Sequence, residues 1–191
     1  MKSLYSVFAV LGLLFAGSVQ AEKYTIDGTH TQVRFTYNHF GFSNITGRFD
    51  QVQGEFDLDT ANLAKSRIAI EIPIASISTG VDKLDTHLQS ADFFDAANYP
   101  TARFISKSVH VVSDKELHVS GDLTIHGVTQ PVTFAVKINR IGEHPFKKVP
   151  AAGFDATATL KRSVFGIGGY VPLVSDDVTL SITLEATVPK S

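Results

Sequence analysis

The sequence predicts an all-β protein in which the apolar surfaces of the sheet cover one another. Eight segments alternate apolar and polar residues, the pattern of a strand with one buried face and one wet face. One further segment has helical spacing, and it is too short to cover a sheet. No Pro/Gly/Ser-rich linker divides residues 22–191, so we expect them to form one domain with a full core.

Residues 1–21 have the three parts of a secretory signal peptide. Lys2 supplies the positive start, residues 5–16 are apolar, and Val19-Gln20-Ala21 forms a cleavage site. The apolar run is shorter than the roughly 20 residues that span a bilayer, and no basic cluster follows it. We therefore expect cleavage after Ala21, export to the periplasm and a mature protein without a transmembrane span.

The eight alternating segments are separated mostly by short, turn-like links, which favours antiparallel neighbours. They are residues 29–40, 47–59, 66–77, 102–112, 115–125, 131–141, 152–162 and 177–188. In the third segment Pro73 lies opposite the isoleucine face, which indicates a sheet edge or a bulge. Between the fifth and sixth segments we expect a hairpin turn near residues 127–130, with Leu123, Ile125, Val132 and Phe134 buried.

Residues 82–98 break this rhythm between the third and fourth predicted strands. Leu84, Leu88 and Phe93 recur at near-helical spacing, and Pro100 ends the pattern. We predict one or two short helices that dock on the sheet through residues 92–95, with a Phe93–Phe94 pair at a cavity mouth as the alternative. Because these helices cannot cover a sheet, the strands form either a two-sheet sandwich or a closed barrel.

The inward positions of the strands combine aromatic and β-branched side chains with small residues. The small residues, which leave room on an inward face, are Ala102, Gly121, Ala156 and Ala158. An eight-stranded barrel can be filled by its side chains or can hold one small ligand. The residues alone leave a packed core and a ligand cavity equally open.

Several short stretches in a fixed order carry a family resemblance across nearly the whole mature chain. They are HFGFS (39–43) with GRF (47–49), HLQSADFFD (87–95) with Tyr99-Pro100 and Phe104, GDLT (121–124) with GVTQPV (127–132), and RSVFGI (162–167). With these stretches the chain resembles the YceI-like family of exported bacterial proteins. The resemblance implies an eight-stranded antiparallel, lipocalin-like barrel whose interior tunnel holds an isoprenoid chain, such as a polyprenyl or quinone tail. It implies no reaction.

A tunnel for an isoprenoid tail needs aliphatic and aromatic walls with a few polar groups at its mouth. Seventeen residues are therefore candidates for ligand binding, and for any one of them ordinary core packing is the alternative. They are Val33, Phe35, Tyr37, His39, Phe49, Ile70, Ile72, Phe104, Leu123, Phe134, Val136, Phe154, Ala156, Arg162, Phe165, Leu180 and Ile182.

Two polar candidates each have two interpretations. His39 lies two residues after Tyr37, near a strand end, and should therefore also point inward. In the first interpretation it meets a ligand head or closes the mouth of the tunnel. Its alternative is a hydrogen bond to a neighbouring strand or to the helical segment. Arg162 either meets a phosphate or carbonyl head or pairs with Asp92 or Asp95, and we favour the pairing.

The sequence gives little support to other classes of function. The seven histidines offer no i, i+2 or i, i+4 pair and cysteine is absent, so we predict no metal site. No Gly-x-Ser-x-Gly elbow appears, and we expect no enzyme and no cofactor beyond a bound isoprenoid or quinone-type lipid. Without Lys2 the 17 Lys and Arg become 16 against 19 Asp and Glu. A net charge of −3 with no basic stripe argues against nucleic acid as a partner.

Two functions from different classes therefore stand. The first is a periplasmic carrier that holds an isoprenoid-type lipid or a similar long amphiphile in the barrel interior. The second is a filled-barrel structural or adaptor protein that acts through its surface. Quinone, polyprenyl phosphate and fatty amide are not distinguished, because all three present mainly a tail, and a homodimer stays open.

Overall fold

The computed structural model describes residues 21–190, so the predicted signal peptide, except for Ala21, lies outside the described residues. Within that range one antiparallel sheet has eleven strands, and one α-helix, α1 (Asp82–Gln89), precedes the seventh of them. Short 3-10 helices span Leu63–Lys65, Ile74–Ser76 and Arg162–Phe165. The strands are β1 Glu22–Ile26, β2 Gln32–His39, β3 Ser43–Phe49, β4 Gln53–Leu58, β5 Arg67–Pro73, β6 Ile77–Ser78, β7 Thr101–Ser113, β8 Glu116–Ile125, β9 Val128–Glu143, β10 Pro150–Lys161 and β11 Val174–Thr187.

The sheet closes on itself as a barrel. Eight strands form a ring in the order β1-β4-β5-β7-β8-β9-β10-β11, and β11 pairs with β1 to close it. All neighbours in the ring are antiparallel. This confirms the predicted all-β class, an eight-stranded antiparallel barrel with a short helix between the third and fourth predicted strands.

The long strand β11 has two different neighbours along its length. Its end pairs with β1 through Thr187, and its first part pairs with β2 through Val174 to Thr183. From β2 the sheet continues through β3 to β6. The β2–β3 turn, the β8–β9 turn and α1 lie at one end of the barrel, which we call the mouth end. The β7–β8 and β9–β10 loops lie at the opposite, far end.

Two predicted strands are interrupted where the sheet bends. Residues 50–52 separate β3 from β4, and there the Asp50 N–H donates to the Ser76 carbonyl at 2.9 Å. The 3-10 turn after Pro73 separates β5 from β6, and the Ser76 hydroxyl donates to the Pro73 carbonyl at 2.7 Å. Pro73 has no N–H for the ladder, so the predicted irregularity occurs at this residue. The prediction also lacks β1, because its alternation extends over only five residues.

The β8–β9 hairpin turns at His126 and Gly127, slightly earlier than predicted. Both residues have positive φ, 52° and 71°, which is the combination that matches a two-residue turn to the twist of its strands. Leu123, Val132 and Phe134 are buried as predicted, whereas Ile125, next to the turn, is only half-buried. The turn is fixed to the barrel by His126, whose Nδ1 lies 3.2 Å from the Phe165 carbonyl oxygen.

The segment that contains α1 packs against the barrel, as predicted, and it does so at the mouth end. The Asp85 carboxylate holds the start of the helix by accepting the Thr79 N–H at 2.7 Å and the Thr79 hydroxyl at 2.6 Å. Leu88 and Phe93 are buried against the barrel. Residues 90–98 form turns in place of a second helix. None of the helices among residues 21–190 is long and apolar enough to cross a membrane.

Candidate functional site

The barrel interior contains two adjoining apolar cavities. The larger, about 360 Å³, lies beneath α1 and is here named the mouth chamber. The smaller, about 150 Å³, lies deeper and is named the inner chamber. Five residues line both chambers, so the two cavities lie end to end along the barrel. They are Val33, Ile72, Ala102, Leu123 and Leu180.

Each of the seventeen candidate residues lies on the wall of one or both chambers. Ten line the mouth chamber: Val33, Phe35, Tyr37, His39, Phe49, Ile72, Leu123, Arg162, Phe165 and Leu180. The other seven line the inner chamber: Ile70, Phe104, Phe134, Val136, Phe154, Ala156 and Ile182. Strand alternation brings fifteen of them together, because every second residue of a barrel strand points inward, and the other two, Arg162 and Phe165, come from the 3-10 helix after β10. Their contact with a ligand stays a prediction.

The helical segment contributes more of the wall than the sequence indicated. Leu84, His87 and Leu88 of α1 line the mouth chamber, and so do Phe93 and Phe94. The leucine spacing predicted docking alone, whereas the alternative placed Phe93 and Phe94 at a cavity mouth, and both of these rings line the mouth chamber. The same side chains do both, because one face of α1 forms the roof of the mouth chamber.

Tyr170 and Ile167 also line the mouth chamber, and the sequence analysis did not include them. They belong to a glycine-rich loop after the Arg162–Phe165 turn, where no strand or helix periodicity exists to assign an inward face. The Tyr170 ring stacks on Phe93, with centroids 6.2 Å apart and planes at 28°.

The small inward residues do not all leave space. Ala102 lines both chambers and Ala156 lines the inner one. Gly121 was expected to leave room, and that expectation is wrong. A Cβ there would lie 2.8 Å from the Phe104 ring and would also collide with the Ile105 carbonyl. The missing side chain of Gly121 permits close approach between strands, and it adds nothing to the cavity.

Arg162 does not pair with Asp92 or Asp95, contrary to the interpretation that the sequence favoured. Its guanidinium donates to three main-chain carbonyls: Ile167 at 2.7 Å, Ser175 at 2.9 Å and Val174 at 3.0 Å. A planar group with five donors can hold several acceptors at once. Arg162 therefore fixes the loop over residues 166–175 at the rim of the mouth chamber.

A few polar side chains interrupt the otherwise apolar wall of the mouth chamber. Burial lowers the pKa of Arg162, although the charge remains at neutral pH. Burial also raises the pKa of the Tyr37 phenol, against the opposing effect of the nearby Arg162 charge. His39 is half-buried and its ring lies 4.2 Å, centroid to centroid, from that of Phe40. No side chain or carbonyl among residues 21–190 forms a hydrogen bond with the His39 ring, so the alternative of a bonded structural histidine is not observed.

A cluster of ionisable groups lies at the far end, away from both chambers. Within residues 21–190, only Asp27, His30 and Glu185 bring three metal-ligand atoms within 4.8 Å of one another. The Lys147 ammonium lies 3.1 Å from the Asp27 carboxylate, so a cation already occupies that position. The pKa of Asp27 is well below its usual range because Thr29 donates to it, with further donation from His30 and Lys147.

Comparison with known proteins gives matches over almost the whole chain. The model of the YceI-like domain matches residues 24–186. A UPF0312 protein of Pseudomonas syringae pv. tomato is 39% identical over 191 residues, which cover 99% of this chain and 98% of the relative. A UPF0312 protein of Pseudomonas putida is 39% identical over 193 residues, and the match covers 100% of both chains.

Solved structures match the fold. BcnA of Burkholderia cenocepacia has a TM-score of 0.77 at 26% identity, covering 85% of this chain and 99% of that one. The Campylobacter jejuni YceI protein has a TM-score of 0.73 at 29% identity, covering 80% and 90%. A polyisoprenoid binding domain from Saccharophagus degradans, at 18% identity and a TM-score of 0.69 over 87% and 98%, is alike in fold alone. With the family model matched across the barrel and relatives of equal length, the chain belongs to the YceI-like family.

Proposed function

We propose that the protein binds one isoprenoid-type lipid, or a similar long amphiphile, inside the barrel and carries it in the periplasm after export. The observation that carries this proposal is the pair of apolar chambers placed end to end, of about 360 and 150 Å³. An elongated apolar space suits a chain, since removing a tail from water contributes roughly 25 cal/mol per Å² of apolar surface.

The distribution of polar groups orients the proposed ligand. The polar side chains at the mouth chamber are Tyr37, His39, His87, Arg162 and Tyr170, whereas aliphatic and aromatic residues dominate the inner chamber. A tail placed in the inner chamber therefore leaves its head among groups that donate or accept hydrogen bonds. This arrangement is typical of small-ligand sites, where few polar groups fix orientation within an apolar wall.

Binding rather than catalysis accounts best for these side chains. The residues that line the mouth chamber include no carboxylate, serine, threonine or cysteine, so its histidines lack the usual acid partner and the usual hydroxyl or thiol nucleophile. The Arg162 guanidinium already holds three carbonyls. The Saccharophagus degradans structure, which is of a polyisoprenoid binding domain, supports the ligand class only through its similar fold.

Organic-solvent extraction of the purified protein, followed by mass spectrometry, tests the proposal. We expect about one long-chain lipid for each protein molecule, absent from an equal amount of an unrelated exported protein purified in parallel. The proposal would be contradicted if extraction yielded no lipid and the protein also took up no added isoprenoid alcohol. The filled-barrel adaptor would then be the better account.

A further inference from the structure

Five exposed apolar side chains lie on two neighbouring segments at the mouth end, beside the mouth chamber. Phe40 and Phe42 belong to the β2–β3 turn, and Tyr170, Val171 and Leu173 belong to the loop before β11. The two segments touch, because the Phe40 N–H donates to the Leu173 carbonyl at 3.1 Å. We name these five residues the mouth rim. Phe40 and Tyr170 also line the chamber, so the rim continues directly into the cavity wall.

The chain reverses tightly within both rim segments. Phe40, Gly41 and Tyr170 have φ of 54°, 76° and 64°, the left-handed region that reverses the chain tightly. Phe42 is 92% exposed, whereas the barrel buries other phenylalanines such as Phe35. An exposed aromatic that contributes nothing to packing needs another explanation, particularly beside four more apolar residues.

The two segments that carry the mouth rim have no formally charged side chain of their own, and the neighbouring Arg162 directs its guanidinium at main-chain carbonyls. Residues 35–47 and residues 163–175 contain no Asp, Glu, Lys or Arg. Protein surfaces that meet partners through electrostatic complementarity have charged rims, and these two segments contribute no charged side chain to such a rim. An uncharged surface of aromatic and aliphatic side chains matches the boundary between headgroups and acyl chains of a bilayer, where aromatic rings accumulate.

We propose that the mouth rim docks on the surface of a lipid bilayer, so that a tail passes between the membrane and the mouth chamber without crossing water. This inference rests on the proposed function, because the rim is useful there only if the cavity takes up a tail. Partition follows from burial of apolar side chains and needs no anionic lipid. We therefore expect binding to neutral membranes that persists at high salt.

Flotation with phosphatidylcholine vesicles tests the docking. The variant F42S/L173S changes two rim residues that do not line either chamber, and F146S is the matched control. Phe146 is 90% exposed and lies in the β9–β10 loop at the far end. We expect F42S/L173S to reduce vesicle partition about tenfold or more, which corresponds to about 1.4 kcal/mol. F146S should bind like the wild type, also at about 1 M salt, where the Debye length is about 3 Å.

Lipid content and self-association separate the outcomes. We expect F42S/L173S to take up added isoprenoid alcohol with the wild-type stoichiometry and to keep the wild-type melting temperature, so that a lost cavity or a lost fold does not explain lost docking. Equal flotation of the wild type, F42S/L173S and F146S would overturn the inference while leaving the cavity proposal intact. A wild-type dimer that F42S/L173S dissociates, without vesicle binding, would also overturn it, because a second copy would then cover the rim.

Discussion

At the scale of single residues, the polar side chains of the mouth chamber have two different tasks. Arg162 donates three hydrogen bonds to main-chain carbonyls and thereby holds the loop that carries Tyr170. His39 contacts Phe40 and has its ring nitrogens available at the chamber wall. The first residue positions the rim, and the second is the better candidate to meet a ligand head.

Replacing Arg162 by Met should lower the free energy of unfolding by about 1.5–3 kcal/mol, because carbonyls bonded to a charged donor lose their partner. Lys at this position should restore little, since one ammonium cannot reproduce the planar fork. Urea denaturation measures the change. Arg140→Met, on an exposed position of β9, is the control. An equal effect of the two Met substitutions would mean that the three observed bonds contribute nothing.

Replacing His39 by Ala should weaken binding of a polar-headed isoprenoid by about 0.5–1.5 kcal/mol, the range of one hydrogen bond. Binding of a plain hydrocarbon of equal length should change less, because it offers no head to bond. Competition of both ligands for a fluorescent lipid gives the two affinities. If both affinities fell by the same factor, His39 would contribute only to the shape of the cavity wall and would form no hydrogen bond with a ligand head.

The sequence predicted that Arg162 and His39 face the cavity, and both line the mouth chamber, but the predicted partners of Arg162 were wrong. Its acceptors are main-chain carbonyls of residues 167, 174 and 175. Every residue has a carbonyl, so no side-chain pattern distinguishes these three. Asp92 and Asp95 were the acidic residues that the sequence offered as partners, and for this reason it favoured an ion pair that the structure does not contain.

At the scale of elements, α1 and the turns after it form the roof of the mouth chamber. Leu88 and Phe93 are buried, and both also line the cavity. The start of α1 is held by Asp85 and Thr79, so the roof is fixed at its first turn as well as by packing. The roof is therefore part of the folded barrel, and its stability and the shape of the chamber are linked.

Replacing Phe93 by Ala should lower the free energy of unfolding by about 3 kcal/mol, the low end of the range for a buried phenylalanine. The side chain is 9% exposed, and one part of its ring faces the chamber, where fewer packing contacts are lost. Thermal and urea unfolding measure the change, with the exposed Val81→Ala as control. A Phe93 effect as small as that of Val81 would contradict the docking of this segment.

Sequence periodicity predicted where the helix and the strands lie, and it did not predict most of the breaks within the strands. The pattern predicted α1 and seven of the eight ring strands, whereas β1 is too short to be recognised. The breaks at residues 50–52 and 74–76 depend on a hydrogen bond between Asp50 and Ser76, 26 positions apart in the chain. Of these two breaks, only the one after Pro73 could be predicted from the sequence, because the missing N–H of proline is a property of that residue alone.

At the scale of the whole molecule, closure of the barrel leaves a long apolar interior that the side chains do not fill. The walls come from all around the ring, so no single strand makes the cavity. Alternation predicted which side chains point inward, and composition alone did not distinguish a filled barrel from a hollow one. That difference depends on how the rings pack, as Phe104 over Gly121 illustrates.

The amount of lipid extracted from Ala156→Phe tests the central claim most directly. Ala156 lines the inner chamber, and a phenyl ring there occupies space that the account assigns to a tail. Ala135→Phe, on the exposed face of β9, is the matched control. We predict that Ala156→Phe keeps the wild-type melting temperature and loses the long-chain lipid, while Ala135→Phe retains it. Unfolding of Ala156→Phe, as overpacking of a filled core produces, or an undiminished yield of lipid from it would contradict the account.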